Sequence, residues 1–154
     1  MTVKVTQPSI NLREKINELE TKKPLGYVPA FRAYSTGTYT MSTGDQSLSS
    51  MLVSVPLNSG GHFESGVFTA PASGIYHFTF TAAANYSSGY LYSYIFVNGS
   101  NPPAAYAQYF QQYNVVTLPL TIELSAGDRV TPYISSNYSG GSVSQMIFNG
   151  HYVG

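Results

Sequence analysis

The sequence predicts an all-β sandwich from about residue 25 onward, preceded by a short extended arm and helix. Two observations lead to this prediction: apolar residues alternate with period two in many short runs, and Gly-, Ser- and Asn-rich turns separate those runs. Helical spacing is confined to the segment before Pro24. We expect strands near residues 28–35, 51–56, 62–69, 73–84, 89–97, 106–112, 114–124, 128–136 and 142–152.

The stretch 68–80 is the most informative part of the chain. A strand ends at Phe68, a Pro- and Gly-containing turn follows, and a second strand begins after Gly74. Three aromatic residues then alternate on one face of that strand, as a sandwich core requires. These residues are Tyr76, Phe78 and Phe80.

The same spacing resembles the signature of the globular-head family of the first complement component, subcomponent q. That signature runs aromatic, five residues, Gly, any residue, Tyr, any residue, Phe, any residue, aromatic. The residues that match it are Phe68, Gly74, Tyr76, Phe78 and Phe80. Its upstream half is matched by Leu52, Asn58 and Phe63, with Leu52 in place of the usual Phe. Because two residues are missing between Phe63 and Phe68, the hairpin there should be tighter than in the family.

Three further segments agree with this resemblance, which covers about residues 25–154. They are Val28–Ala33, Leu124–Val130 and Phe148–Gly150. The resemblance implies a ten-strand-type jelly-roll sandwich, similar to tumour necrosis factor, that assembles as a tight homotrimer. It implies little about a ligand, because one fold carries many functions.

Residues 1–24 form a separate N-terminal anchor in this interpretation, and residues 25–154 form the globular head. Asn11 can cap a helix, and Glu14 stands at the capping-box position three residues later. A helix of about three turns is marginal in isolation, so we expect it to dock on a partner. The alternative is a frayed tail. The expected anchor residues are Val3, Val5, Ile10, Leu12, Ile16 and Leu19.

The run 90–97 carries large apolar side chains at both parities, whereas a strand covered on one side only should alternate with polar residues. Either another subunit covers its outer face, or the rings are displayed for a ligand, or they are ordinary core. The resemblance favours a subunit contact. The expected trimer-interface residues are Tyr90, Tyr92, Tyr94, Phe96, Tyr109 and Tyr113.

Composition excludes several classes of function. The chain of 154 residues has no Cys, so disulfides, thiolate metal sites and cysteine nucleophiles are excluded. Only 9% of residues are charged, which argues against a nucleic-acid-binding surface. No run approaches the length of a membrane span, and no apolar run after Met1 suggests a secretory signal peptide.

Catalysis is not expected. The histidines, His62, His77 and His151, lack metal-binding spacing, and no Gly-x-Ser-x-Gly elbow is present. The carboxylates Glu64 and Glu123, or Asp45 and Asp128, could act only if the fold paired them. We expect no cofactor. A calcium ion could be bound at the trimer top by Asp45, which lies in a suitable loop, but no sequence motif supports such a site.

The expected function is that of a non-enzymatic, trimeric structural or recognition protein. A Cys-free head without an export signal suits a phage virion component, either a tail fibre knob or a capsid decoration. Such a protein assembles in the bacterial cytoplasm, leaves with the released particle, and docks on a larger virion protein through residues 1–24. The alternatives are a carbohydrate-binding adhesin and a bacterial cell- or spore-surface head. The residues expected to contact a host glycan are Tyr86, Asn137 and Tyr138.

Overall fold

The computed structural model describes residues 11–16, 26–85, 87–100, 106–109 and 113–154, which form two antiparallel sheets. Residues 11–16 are helical. A single 3₁₀ turn, Ser49–Met51, lies among the described strands. The strands are β1 (Ala30–Tyr34), β2 (Tyr39–Thr40), β3 (Gly44–Ser47), β4 (Ser54–Ser59), β5 (Phe63–Glu64), β6 (Val67–Thr69), β7 (Gly74–Asn85), β8 (Leu91–Val97), β9 (Tyr106–Tyr109), β10 (Tyr113–Leu124), β11 (Arg129–Ser136) and β12 (Ser142–Tyr152).

Sheet 1 has the strand order β10-β7-β12-β1-β4, with β2 also paired to β12. Its longest ladder joins β7 and β10 in register from Gly74 opposite Leu124 to Asn85 opposite Tyr113. The first and last strands of the head, β1 and β12, are paired with each other, as in a jelly roll. The most distant parts of the sequence are therefore joined in the middle of one sheet.

Sheet 2 has the order β5-β6-β11-β8-β9, with β3 paired to the far end of β11. The ladder between β8 and β11 runs from Leu91 opposite Ser136 to Val97 opposite Val130. The turn Asn98-Gly99 closes β8 with a bridge between Val97 and Ser100, and both turn residues have positive φ. Asn-Gly is a favoured pair for such a two-residue hairpin turn.

The core between the sheets is built around the aromatic residues that the sequence pattern singled out. Phe68, Tyr76, Phe78 and Phe80 are buried. Phe31 of β1 stacks on Phe63 and on Phe68, with ring centroids 4.5 and 5.1 Å apart. Burial raises the pKa of Tyr76, whose hydroxyl donates to the Ala72 carbonyl at 2.7 Å. The period-two prediction for this strand is therefore confirmed.

Two parts of the predicted strand pattern are wrong. The expected strand 62–69 is instead the hairpin of β5 and β6, with Phe63 opposite Phe68 and a turn at Ser65-Gly66. Its two-residue turn agrees with the short spacer, and the comparison with the family's hairpin stays a prediction. Between the expected strands 28–35 and 51–56, where no strand was expected, the chain forms β2 and β3, which pair with β12 and β11. Their polar sequence has no alternating apolar residues, so only the long-range pairing reveals them.

Candidate functional site

The outward face of sheet 1 is broad and nearly free of charge. Strands β7, β10 and β12 contain a single Asp, Glu, Lys or Arg residue along their lengths, Glu123. On β7, buried aromatic residues alternate with partly exposed His77, Thr79 and Thr81, so these three side chains point outward. We call the outward side of β7, β10 and β12 the sheet 1 face.

Hydroxyl and imidazole groups form a hydrogen-bonded layer on the sheet 1 face. Thr81 Oγ1 lies 2.9 Å from Thr117 Oγ1, and His77 Nδ1 lies 2.8 Å from Thr121 Oγ1. His77 therefore points away from the core. In the centre of the face, the Oδ1 of Asn149 is shielded from solvent and has no hydrogen-bond partner in the described structure. Buried acceptors of this kind normally have a partner.

The outward side of β8 carries a ladder of aromatic rings that contact one another in T-shaped, stacked and tilted pairs. The ring centroids of Tyr90 and Tyr92 are 5.0 Å apart, those of Tyr92 and Tyr94 are 6.0 Å apart, and those of Tyr94 and Phe96 are 5.3 Å apart. Phe96 in turn stacks on Tyr133 of β11 at 4.2 Å. Phe96 is only 7% exposed, whereas Tyr90 at the other end is 38% exposed. Contacts within one chain therefore cover part of the run 90–97, which carries large apolar side chains on both faces.

The remaining predicted interface residues lie where the two sheets meet. Tyr109 is the last residue of β9 at the edge of sheet 2, and Tyr113 is the first residue of β10 at the edge of sheet 1. Their side chains lie outside the described part of the structure. The set Tyr90, Tyr92, Tyr94, Phe96, Tyr109 and Tyr113 stays a prediction as a trimer interface, now located along one side of the sandwich.

Two of the three residues predicted to contact a glycan, Asn137 and Tyr138, make hydrogen bonds within the chain. Asn137 Oδ1 accepts a hydrogen bond from the Tyr90 backbone N–H at 2.8 Å, which ties two loops together. The hydroxyl of Tyr138 accepts from Ser87 Oγ at 3.1 Å. Tyr86 lies outside the described residues. A glycan role for these residues stays a prediction, but the Asn137 amide oxygen is already engaged.

Of the predicted anchor residues, Leu12 and Ile16 belong to the described helical segment 11–16. Their side chains are 62% and 45% exposed, respectively. The other four, Val3, Val5, Ile10 and Leu19, lie outside the described residues. No helix in the described ranges is long and apolar enough to cross a membrane.

The carboxylates considered for catalysis or metal binding are dispersed. Glu64 lies in β5 of sheet 2 and Glu123 in β10 of sheet 1, whereas Asp45 lies in β3. Asp128 is held in place by hydrogen bonds from the Asn98 side-chain amide and the Ser125 backbone N–H, both at 2.9 Å. These two bonds, Asn98 first, lower the pKa of the Asp128 carboxyl. Within the described ranges, no three acidic or histidine side chains form a group that could hold a metal.

The structural role of Asn58 could not be inferred from the sequence. Asn58 was singled out only by its spacing. In the structure its side-chain amide bonds to both backbone groups of Phe63, donating to the carbonyl at 2.8 Å and accepting from the N–H at 3.0 Å. The amide thus closes the connection between β4 and β5, a role that a side chain with both a donor and an acceptor can fill.

Comparison with known proteins agrees with this architecture. The model of the C1q domain family matches residues 30–153. The globular domain of zebrafish complement 1qA protein superposes with a TM-score of 0.66 at 20% identity, covering 83% of this chain and 98% of that one. Murine APRIL superposes with a TM-score of 0.59 at 12% identity, covering 82% of this chain and 100% of that one. No curated protein sequence matches the chain significantly.

The described geometry explains why the family match extends over the whole sandwich. It begins with β1, ends just after β12, and so includes every strand that the structure describes. The two sheets, the aromatic core and the β1–β12 closure are common to jelly rolls of the C1q and tumour-necrosis-factor type. Domains of this type serve recognition, not catalysis, and are commonly trimeric. The chain belongs to the C1q domain family.

Proposed function

We propose that this protein is a homotrimeric recognition head carried on a virion, either as a tail fibre knob or as a capsid decoration. The nearly charge-free sheet 1 face is the observation that carries the trimeric part. A face of three long strands with one charged residue resembles the centre of a subunit interface more than a solvated surface. Family membership supports the same assembly.

A ring of three identical chains needs two different patches, because each copy contacts one neighbour on one side and the other neighbour on the opposite side. The sheet 1 face supplies one patch. The other patch is the predicted interface along the β8 ring ladder and the neighbouring strand ends at Tyr109 and Tyr113. In this arrangement, hydroxyl and imidazole groups near Thr79 meet tyrosine rings of the next copy. A donor from that copy would also give the unpartnered Asn149 Oδ1 its hydrogen bond.

The N-terminal segment supplies the attachment in this proposal. Two apolar side chains of its described part, Leu12 and Ile16, are exposed to solvent. A short helix of this kind gains stability only when its apolar face is buried on a partner. We assign that partner to a larger virion protein, which leaves the C1q head directed outward for contact with the host surface.

Labelling of virus particles tests the proposed location. Particles released from a culture of the source strain would be purified by density gradient and probed with antibodies raised against the head. We expect gold label at the tail tip or on the capsid surface, and capsid, portal or tail genes next to the coding sequence. Label confined to cell or spore envelopes would instead support the surface-protein alternative and contradict the virion assignment.

A further inference from the structure

A polar cleft of about 470 Å³ lies on the outward side of sheet 2, over β11. It is bordered by the end of β3, the β5–β6 turn region and the Asn98-Gly99 turn. Its volume falls within the range of small-molecule sites. The lining side chains used below are Ser47, Ser49, Asn98, Arg129, Thr131 and Tyr133.

Arg129 gives the cleft its positive charge. It is exposed, and its hydrogen bonds are made by its backbone groups: the N–H donates to Asn98 Oδ1 at 2.9 Å, and the carbonyl accepts from the Asn98 N–H at 2.8 Å. Within the described part of the chain, its guanidinium therefore has no carboxylate or hydrogen-bond partner. The nearest carboxylate in sequence, Asp128, is occupied by the Asn98 amide and the Ser125 N–H. The guanidinium is thus free to form a bidentate pair with a ligand carboxylate.

The walls of the cleft are fixed before any ligand arrives. Thr131 Oγ1 donates to the Gly66 carbonyl at 2.8 Å, and Ser47 Oγ donates to Ser49 Oγ at 3.0 Å. Gly66 has a φ of 77° and lies so close to Ser49 that a Cβ there would come within 2.0 Å of the Ser49 carbonyl oxygen. The β5–β6 turn and the 3₁₀ turn are therefore pressed together, which holds the serine hydroxyls in place.

An aromatic platform lies beside these hydroxyls. Tyr133 lines the cleft, and its ring stacks on Phe96 with a centroid distance of 4.2 Å and an interplanar angle of 20°. This stacking fixes the orientation of the Tyr133 ring. An aromatic ring beside several hydroxyl groups suits a sugar, whose C–H face packs on the ring while its hydroxyls form hydrogen bonds.

We propose that this cleft binds a carboxylate-bearing sugar, of the hexuronic-acid or sialic-acid type, with Arg129 pairing the carboxylate and Tyr133 supporting the sugar ring. A phosphate ligand fits less well, because the cleft is lined by one cation and phosphate surfaces use clustered Lys and Arg. The proposal extends the recognition role proposed above by naming a ligand class. All lining residues belong to one copy, so the cleft does not require the trimer.

Titration of the 154-residue chain tests the proposal. The ¹⁵N-labelled chain would be titrated with sodium glucuronate, N-acetylneuraminate, glucose, acetate and inorganic phosphate while backbone NMR shifts are recorded. We expect at least one of the two acidic sugars to shift the amide resonances of Arg129, Thr131 and Tyr133. Glucose and acetate should each bind at least about tenfold more weakly, because glucose lacks the carboxylate and acetate lacks the sugar ring.

The variant Arg129→Gln should weaken binding of the acidic sugar by about tenfold or more. It keeps the backbone bond to Asn98, so the fold should be unaffected. The matched control is Arg13→Gln, which makes the same charge change in the N-terminal helical segment and should alter binding by less than twofold. Equal binding of glucose, tighter binding of phosphate, no shifts at the cleft with either acidic sugar, or an unchanged affinity in Arg129→Gln would each overturn the proposal.

Sedimentation of the same samples separates this proposal from the assembly proposal. A trimer that binds no acidic sugar would refute the cleft assignment alone. A monomer that binds the acidic sugar through Arg129 would leave the cleft assignment standing and refute the trimer.

Discussion

Gly150 shows how closely single residues are fitted in this core. A Cβ at this position would lie 2.5 Å from ring atoms of both Phe31 and Phe78. Because the rings are packed on other buried rings, they have little room to move. The substitution Gly150→Ala should therefore lower the free energy of unfolding by about 1–3 kcal/mol, measured by chemical denaturation.

Gly26→Ala is the matched control for that experiment. A Cβ at Gly26 has no heavy atom within 4 Å, so the same added methyl group meets open space. We expect a change within about 0.5 kcal/mol for this surface position. Equal stability of the two variants would mean that the aromatic core is looser than described.

Asp128 predicts a pH dependence. Its two hydrogen bonds favour the carboxylate and lower its pKa in the folded state below the ordinary value of 3.8. The folded state thus binds the proton less readily than the unfolded state. The stabilisation is present above the unfolded pKa and is lost as the pH falls through the lower, folded pKa.

The variant Asp128→Asn tests this sign. Because the site is close to solvent, we expect it to lower the unfolding free energy at pH 7 by only about 0.5–1 kcal/mol. Denaturation curves between pH 2 and 6 should show a flatter loss of stability for the variant than for the parent protein. If the unfolding free energies of the two proteins fall in parallel with pH, Asp128 does not contribute to the loss of stability in acid.

At the scale of elements, the strands with apolar alternation could be predicted from the sequence, and those without it could not. The alternation of Tyr76, Phe78 and Phe80 identified β7 because burial on one face dictates it. β2 and β3 could not be predicted, because their residues are polar and they are strands only through hydrogen bonds to β12 and β11, which lie far away in the sequence. The split into β5 and β6 depends on Ser65-Gly66, which an apolar pattern cannot reveal. Likewise, nothing in the sequence brings Arg129, Ser47 and Tyr133 together before the sheet order is known.

Substitution on β7 tests the role of the sheet 1 face. Thr79→Arg places a long cation at the centre of the face, opposite Asn149 in the β7–β12 ladder. We expect the trimer to dissociate into folded monomers, because an unpaired charge in a subunit contact is costly. The measurement is mass by light scattering, with near-ultraviolet circular dichroism to confirm that the head stays folded.

Thr43→Arg is the control for β7. It makes the same change at an exposed residue in the connection between β2 and β3, and it should leave the trimer intact. If Thr79→Arg also remains trimeric, the sheet 1 face is not the contact. The companion variant Tyr94→Ser then asks whether the β8 ring ladder takes part in assembly, as the predicted interface set requires.

At the scale of the whole molecule, the sequence yielded the architecture and left the site open. Periodicity predicted an all-β sandwich because it reports the core directly, and the resemblance of the aromatic spacing to the family signature implied the C1q type of jelly roll. The predicted glycan residues Asn137 and Tyr138 are occupied in loop contacts, whereas the open polar cleft lies elsewhere, over β11. Surface function depends on which outward residues the topology brings together, and the core pattern carries no information about that.

The mass in solution of the full chain and of residues 25–154 tests the central claim most directly. Sedimentation equilibrium should give three copies for both, because the contact belongs to the head and not to the N-terminal segment. The shortened chain should also fail to attach to particles that the full chain decorates. A monomeric head, or a trimer that is lost when residues 1–24 are removed, would contradict the account.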